Sequence, residues 1–155
     1  MSLSNYKQLL SELGNSTGIP DLAPDADNYC CLGFDDKIIV HLQFSTDREA
    51  LMLFSQLGKI DEDKTTLLYP RILKANLFWQ GTAGATIGVD DETREVLMCY
   101  QVPLQFMDFP KFQEVLEGFI NIAELWINTL EAIQRGEISN PSPKLRANMP
   151  GGIKA

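Results

Sequence analysis

The residues best equipped for chemistry are two pairs of adjacent aspartates, Asp35-Asp36 and Asp90-Asp91. Two neighbouring carboxylates can hold a divalent cation or share a proton. Both pairs, however, separate short alternating apolar segments, where aspartate is favoured because its side chain bonds to nearby backbone amides. We therefore interpret both pairs as turn residues and predict neither a metal site nor a catalytic acid there.

The cysteines, the histidine and the glycines add little catalytic material. Cys30 and Cys31 are adjacent in a strand-like segment, so they point to opposite faces and cannot readily pair or share a metal; Cys99 is remote in sequence. The single histidine, His41, has no second imidazole for a zinc site. The glycine-rich stretch 81–88 lacks the Gly-Lys-Ser/Thr ending of a P-loop. The sequence thus predicts no enzyme, no metal and no cofactor.

Composition narrows the class of protein further. The 155 residues fit one domain with a tail, and 45% hydrophobic with 22% charged residues is typical of a globular chain. A net charge of -8 argues against binding to nucleic acid or to an anionic membrane surface. The apolar runs are shorter than a bilayer span, and the N-terminus lacks a signal-peptide pattern. We expect a soluble, cytoplasmic protein.

The elements that must position these residues follow from apolar periodicity. It predicts a helix over 3–13 stopped by Gly14, strands over 28–34 and 38–44, a helix over 65–79, strands over 85–90 and 95–102, and a long helix capped by Asp108. With a further element at 50–57, this is an α+β domain in which helices cover an antiparallel sheet.

The register of the first hairpin can be argued from its apolar residues. Cys30, Leu32 and Phe34 share one face of the first strand, and Ile38 begins the matching face of the second. All lie on one side only if Phe34 pairs with Ile38 across a three-residue loop, because a one-residue slip turns every side chain over. The opposite face then also carries apolar residues, which need cover from the chain's own helices or from a partner.

Residues 50–57 remain open between strand and helix on periodicity alone. Leu51 and Leu53 alternate with Met52 and Phe54, so a strand would be apolar on both faces. A helix through Leu51, Phe54 and Leu57 fits nearly as well.

Short motifs over residues 6–130 resemble those of a known family. The chain opens with Leu9-Leu10-Ser11-Glu12-Leu13-Gly14 and Gly18-Ile19-Pro20, and continues to Ala75-Asn76-Leu77-Phe78-Trp79 followed by Gly84-Ala85-Thr86. In this order they resemble the type III secretion effector chaperones of the Tir-chaperone family. The resemblance favours a strand at 50–57, so it implies five strands and three helices in the order α-β-β-β-α-β-β-α.

The resemblance also implies a function. Class I chaperones of this family are bacterial homodimers that hold the N-terminal segment of a secreted effector extended and competent for secretion. By analogy, the effector-binding residues would be Leu10, Leu13, Ile39, Met52 and Phe54. The second helix would meet its symmetry mate through Leu68, Ile72, Ala75 and Trp79. Pro70 within that helix could shift its start or kink it.

Two questions stay open in the sequence. We place the chaperone-like domain at 1–135 and a flexible Pro/Gly-rich tail at 136–155, which is either inert or a contact for the effector or the secretion ATPase. The alternative function is that of a regulator with the same fold, which sequesters a transcriptional control protein or acts in bacterial sensory regulation.

Overall fold

The computed structural model describes residues 2–138, and its elements follow the predicted order. The helices are α1 (Ser2–Thr17), α2 (Thr65–Asn76) and α3 (Phe109–Gln134), with short 3₁₀ turns at Glu62–Lys64 and Leu77–Trp79 on either side of α2. The strands are β1 (Tyr29–Phe34), β2 (Ile38–Ser45), β3 (Ala50–Lys59), β4 (Thr86–Val89) and β5 (Glu95–Pro103). They form one antiparallel sheet in the order β1-β2-β3-β5-β4, which confirms the α+β prediction.

The described chain divides into two compact units, one of residues 2–55 and 100–120, the other of residues 56–99 and 121–138. Strands β3 and β5 and helix α3 contribute to both units. Most of the predicted tail, residues 139–155, lies outside the described residues.

In the first unit, α1 covers the inner face of β2. The Tyr6 hydroxyl donates a hydrogen bond to the Leu42 carbonyl oxygen at 3.4 Å, and the Tyr6 ring stacks on Phe44 with 5.8 Å between centroids. Leu9 and Leu10 follow on the same stripe of the helix and are fully buried. Each such leucine contributes about 1.5–3 kcal/mol through burial, so this stripe holds α1 in place.

The predicted stop of α1 at Gly14 is wrong. The helix continues to Thr17 and ends before Gly18, whose φ of 76° is left-handed. The amide of Ile19 then donates to the Gly14 carbonyl oxygen at 2.9 Å, which is the Schellman arrangement. Gly14 matters because the chain returns across it: a Cβ there would lie 2.6 Å from the Ile19 oxygen.

The register predicted for the first hairpin is confirmed. Phe34 pairs with Ile38, and Leu32 pairs with Val40. The loop residues Asp35 and Asp36 both have positive φ, 50° and 57°, which aspartate tolerates better than most residues. The pair is therefore part of a turn, as its sequence context indicated.

The segment left open by periodicity is a strand, as the resemblance favoured. Leu51 and Leu53 of β3 are fully buried, while Met52 and Phe54 are only partly covered. The buried hydroxyl of Ser55 donates to the Ile39 carbonyl oxygen at 2.7 Å, so it is satisfied by the neighbouring strand.

In the second unit, α2 is shorter than predicted because its backbone changes conformation after Asn76. Leu77 is extended, with a ψ of 112°, and Phe78 and Trp79 are left-handed, with φ values of 52° and 53°. The Asn76 side chain receives the Ile87 amide at 3.0 Å and donates to the Ile87 carbonyl oxygen at 2.9 Å. These bonds tie the end of α2 to β4, so the prediction of a helix to Trp79 is wrong.

Asp90 lies in a turn and Asp108 caps a helix, as the sequence predicted. The Asp90 carboxylate accepts the amides of Glu92 at 2.9 Å and Thr93 at 3.1 Å, and the Thr93 bond followed by the Glu92 bond lowers the pKa of Asp90. The Asp108 carboxylate accepts the Lys111 amide at 2.9 Å and caps α3. Both aspartates serve local backbone structure.

One residue of the glycine-rich stretch, Gly81, is needed for close packing in the second unit. A Cβ at Gly81 would lie 2.7 Å from the Ala75 Cβ, and the buried Trp126 indole of α3 donates to the Gly81 carbonyl oxygen at 2.9 Å. Gly81 is therefore required by the close approach of α2 and α3 to the turn.

Candidate protein-binding surfaces

The structure separates the five residues predicted to bind an effector into two groups. Leu10 and Leu13 belong to the buried stripe of α1, with 0% and 4% of their surface exposed. Ile39 is 52% exposed, and Met52 and Phe54 are partly exposed. The alternation of β2 and β3 puts these last three on one side of the sheet, opposite the core. Their role in binding an effector stays a prediction.

This side of the sheet carries a ladder of stacked rings across three strands. The His41 ring of β2 stacks on Phe54 of β3, with 4.7 Å between centroids and 12° between planes. On its other side it stacks on Tyr29 of β1 at 5.9 Å, and the Tyr29 hydroxyl lies 2.7 Å from His41 Nδ1. We call Tyr29, Ile39, His41, Met52 and Phe54 the outer sheet face.

Partial burial shifts the pKa values of the two titratable rings in the ladder, His41 and Tyr29. Desolvation lowers the pKa of His41 below its ordinary value of 6.5. The pKa of Tyr29 is raised, first by desolvation and then by its contacts with Cys31. Both shifts favour the neutral forms, which suits a surface of stacked rings.

A groove of about 430 Å³ opens beside Phe54 at the end of the sheet where β2 finishes and β3 begins. Its apolar floor comes from β3, and its edges carry amide, hydroxyl and charged side chains. The groove is lined by Gln43, Ser45, Asp47, Arg48, Ala50, Met52, Phe54 and Gln101. The outer sheet face thus combines an apolar floor with polar walls.

A second exposed apolar surface lies on α2 and the 3₁₀ turn that follows it. Leu73 is 72% exposed and Phe78 61% exposed. We call the whole set the α2 surface, and its members are Tyr69, Leu73, Leu77, Phe78 and Trp79.

The residues predicted for the dimer contact divide between this surface and the core. Leu68, Ile72 and Ala75 are buried within the chain, whereas Trp79 is 53% exposed. The helical pattern could not separate these sides, because α2 is apolar on both. Tyr69, Leu73, Leu77 and Phe78 were absent from the predicted set. The run Leu77-Phe78-Trp79, which is too long for one helical stripe, is the sequence signal for this surface.

Neither a metal-binding cluster nor a membrane-spanning helix is found in the part of the chain that the structure describes. Within residues 2–138, no group of three or more His, Cys, Asp or Glu side chains is arranged to hold a metal ion. None of the helices in that range has the length and apolar character needed to cross a membrane.

The fold and these surfaces define a known class of protein. The model of the Tir chaperone protein (CesT) family matches residues 8–127, so the chain belongs to this family. Among curated relatives, a Chlamydia pneumoniae protein, CPj0713/CpB0740, is 28% identical over 127 residues, which is 80% of this chain and 95% of that one. The transcriptional anti-antiactivator ExsC of Pseudomonas aeruginosa is 25% identical over 123 residues, 79% of this chain and 83% of ExsC.

Solved structures of the same fold include chaperone complexes. The ExsC–ExsE complex matches with a TM-score of 0.71 and 24% identity, covering 83% of this chain and 95% of the matched chain. The HopA1–SchA chaperone–effector complex matches with a TM-score of 0.67 and 22% identity, covering 83% and 97%. The family is one of type III secretion chaperones, whose members are binding proteins rather than enzymes.

Proposed function

We propose that this protein is a type III secretion chaperone that binds the N-terminal segment of one or more effector proteins and keeps it extended, soluble and competent for secretion. The observation that carries the proposal is the outer sheet face, where Ile39, Met52 and Phe54 remain exposed or half-exposed in a member of the CesT family. An extended segment can bury alternate apolar side chains on such a face while its backbone bonds to polar groups nearby.

The test is co-purification from the native bacterium under secretion-inducing conditions, with mass spectrometry of what is captured. We expect a secreted protein that binds through its N-terminal region. Ile39→Asp should lose this protein, because a carboxylate would be desolvated in the middle of the contact. Leu125→Asp, a change of the same kind at a 43% exposed residue of α3, is the matched control and should retain it. Equal loss from both variants would contradict the assignment of the surface.

We propose further that the protein is a homodimer and that α2 meets its symmetry mate. Support comes from the α2 surface, on which Leu73, Phe78 and Trp79 are each more than half exposed. Hydrophobic side chains of this size gathered on one helix and the turn that follows it are typical of a permanent contact with another protein. The buried members of the predicted set, Leu68, Ile72 and Ala75, would then support the helix from behind.

A regulatory function is the second candidate, and the similarity to ExsC is the observation that favours it. In that case the captured partner would be a small control protein, and deletion of the gene would change expression of secretion genes. A large secreted protein captured with unchanged expression would favour the chaperone. Contact with the secretion ATPase is a further prediction, to be tested with the same captured material.

A further inference from the structure

The groove beside Phe54 provides a place for an apolar side chain. Its floor is formed by Ala50, Met52 and Phe54, three alternate residues on the outer side of β3, of which Ala50 is buried. Gln43 and Gln101 also line the groove, and their amide oxygens can accept the backbone N–H groups of an extended peptide. The chemistry of the floor alone would accept almost any apolar residue.

The rim of the groove, which we define as segments 21–28 and 46–49, is mainly acidic. Asp47 and Arg48 both line the groove, and Glu49 adjoins Ala50 in the same turn. Asp27 lies next to the groove, because its carbonyl oxygen accepts a hydrogen bond at 2.8 Å from the side-chain amide of Gln43, a residue that lines the groove. The Asp25 carboxylate lies close by, accepting the Tyr29 amide at 2.9 Å. With Asp21, segments 21–28 and 46–49 hold five exposed carboxylates against one cation, Arg48, which itself lines the groove.

The rings next to the groove favour the same kind of ligand. Phe54 lines the groove and continues through His41 to Tyr29 as a stacked ladder. An ammonium or guanidinium group beside the groove can lie against such rings, whereas a carboxylate is repelled by both the rings and the rim.

We propose that this groove selects client segments in which an apolar side chain is flanked by lysine or arginine. The inference rests on the proposed chaperone function and names the chemistry of its client. Acidic segments are rejected by the rim carboxylates at Asp25, Asp27, Asp47 and Glu49. The apolar floor provides contact area, and the rim carboxylates discriminate between apolar segments with basic neighbours and those with acidic neighbours.

Two labelled synthetic peptides test the proposal with the full chain. Both contain three leucines spaced along a Gly/Ser backbone; lysine flanks each leucine in one peptide and glutamate in the other. By fluorescence anisotropy at low salt, we expect the lysine peptide to bind at least ~10-fold more tightly. The difference should shrink as sodium chloride is added, because salt screens exposed charges. Equal affinity of the two peptides, or no binding of either, would overturn the proposal.

Matched variants locate the effect. Asp27→Asn combined with Asp47→Asn should remove most of the preference for lysine. Asp35→Asn combined with Asp36→Asn removes the same charge from the turn at the other end of the hairpin, and asparagine tolerates the left-handed backbone there. This control should keep the preference. Equal losses from the two double variants would mean that net charge, rather than the rim, makes the choice.

The outcome separates this inference from the proposed function. If a secreted client co-purifies from cells but the two peptides bind equally, the charge rule fails and the chaperone function stands. If the lysine peptide is preferred but no secreted client is captured, the groove is a peptide site and the chaperone function fails.

Discussion

The outer sheet face and the α2 surface expose apolar side chains in different ways. The outer sheet face is half-buried, mixes rings with polar atoms, and includes a Tyr29–His41 contact of 2.7 Å. The α2 surface consists of large hydrophobic residues, and all but Tyr69 are more than half exposed, up to 72% at Leu73. Permanent contacts between subunits are more apolar than exchangeable ones, since exchangeable surfaces must stay soluble when free. The contrast favours a client on the outer sheet face and a second copy on the α2 surface.

The largest expected effect separates the two sides of α2. Ile72 is 6% exposed and its neighbour Leu73 is 72% exposed. Ile72→Asp should destabilise the fold by ~3–5 kcal/mol, because it removes core contacts and buries a charge. Leu73→Asp should leave the fold intact. Urea unfolding followed by circular dichroism measures both, and a folded Ile72→Asp protein would show that the buried side of α2 is wrongly assigned.

The second prediction concerns assembly. Leu73→Asp combined with Trp79→Ser should weaken the dimer at least ~100-fold, because central apolar contacts carry most of the energy of an interface. Sedimentation of the wild type and the variant over a range of concentrations measures this loss. Ile39→Asp is the matched control on the outer sheet face and should remain a dimer. Dissociation of the control, or persistence of the variant dimer, would reverse the assignment of the two surfaces.

The third prediction addresses the client. Phe54→Ala removes the ring that lines the groove and stacks on His41, so affinity for the lysine peptide should fall ~10-fold. Met52→Leu keeps an apolar side chain of similar volume in the floor and should bind normally. Anisotropy titration of both variants measures the difference. If Phe54→Ala binds as well as Met52→Leu, the groove is not the contact.

Only part of the structure on which these predictions rest could be predicted from the sequence. Strict alternation, together with the requirement for one apolar inner face, was sufficient to predict the pairing of Phe34 with Ile38. The same alternation put Tyr29 and His41 on the opposite side, where the ring ladder lies. Local patterns were thus informative wherever neighbouring residues decide the structure.

The rest could not be predicted, because an apolar stripe looks the same whether its own core or a partner covers it. Leu10 and Leu13 were assigned to the effector by analogy with the family, although both are buried within the chain. Gly14 was interpreted as a helix stop, but the chain uses its missing side chain for a close approach. The left-handed backbone of Phe78 and Trp79 had no sequence signal, since neither residue favours it.

The smallest expected effect is a pH dependence that belongs to one surface alone. Desolvation lowers the pKa of His41 in the folded chain below 6.5, so the unfolded chain binds the proton more strongly. Between the lowered pKa and 6.5 the unfolded state therefore holds more protons, and stability rises with pH. The contribution is complete above about pH 6.5 and is lost as the pH falls through that window. The slope cannot exceed about 1.4 kcal/mol per pH unit, the limit for one proton.

Comparison of the urea midpoints of the wild type and His41→Gln between pH 5 and 8 isolates the contribution of His41, because the two proteins share every other titratable group. We expect the wild type to lose more stability than the variant on acidification; parallel curves would mean that His41 is not desolvated. A bound client would cover the His41 ring further and so disfavour its protonated form. Affinity for the lysine peptide should therefore also fall below pH 6.5 in the wild type but not in His41→Gln. The α2 surface contains no side chain that ordinarily titrates between pH 5 and 8, so the dimer should be indifferent to the same change.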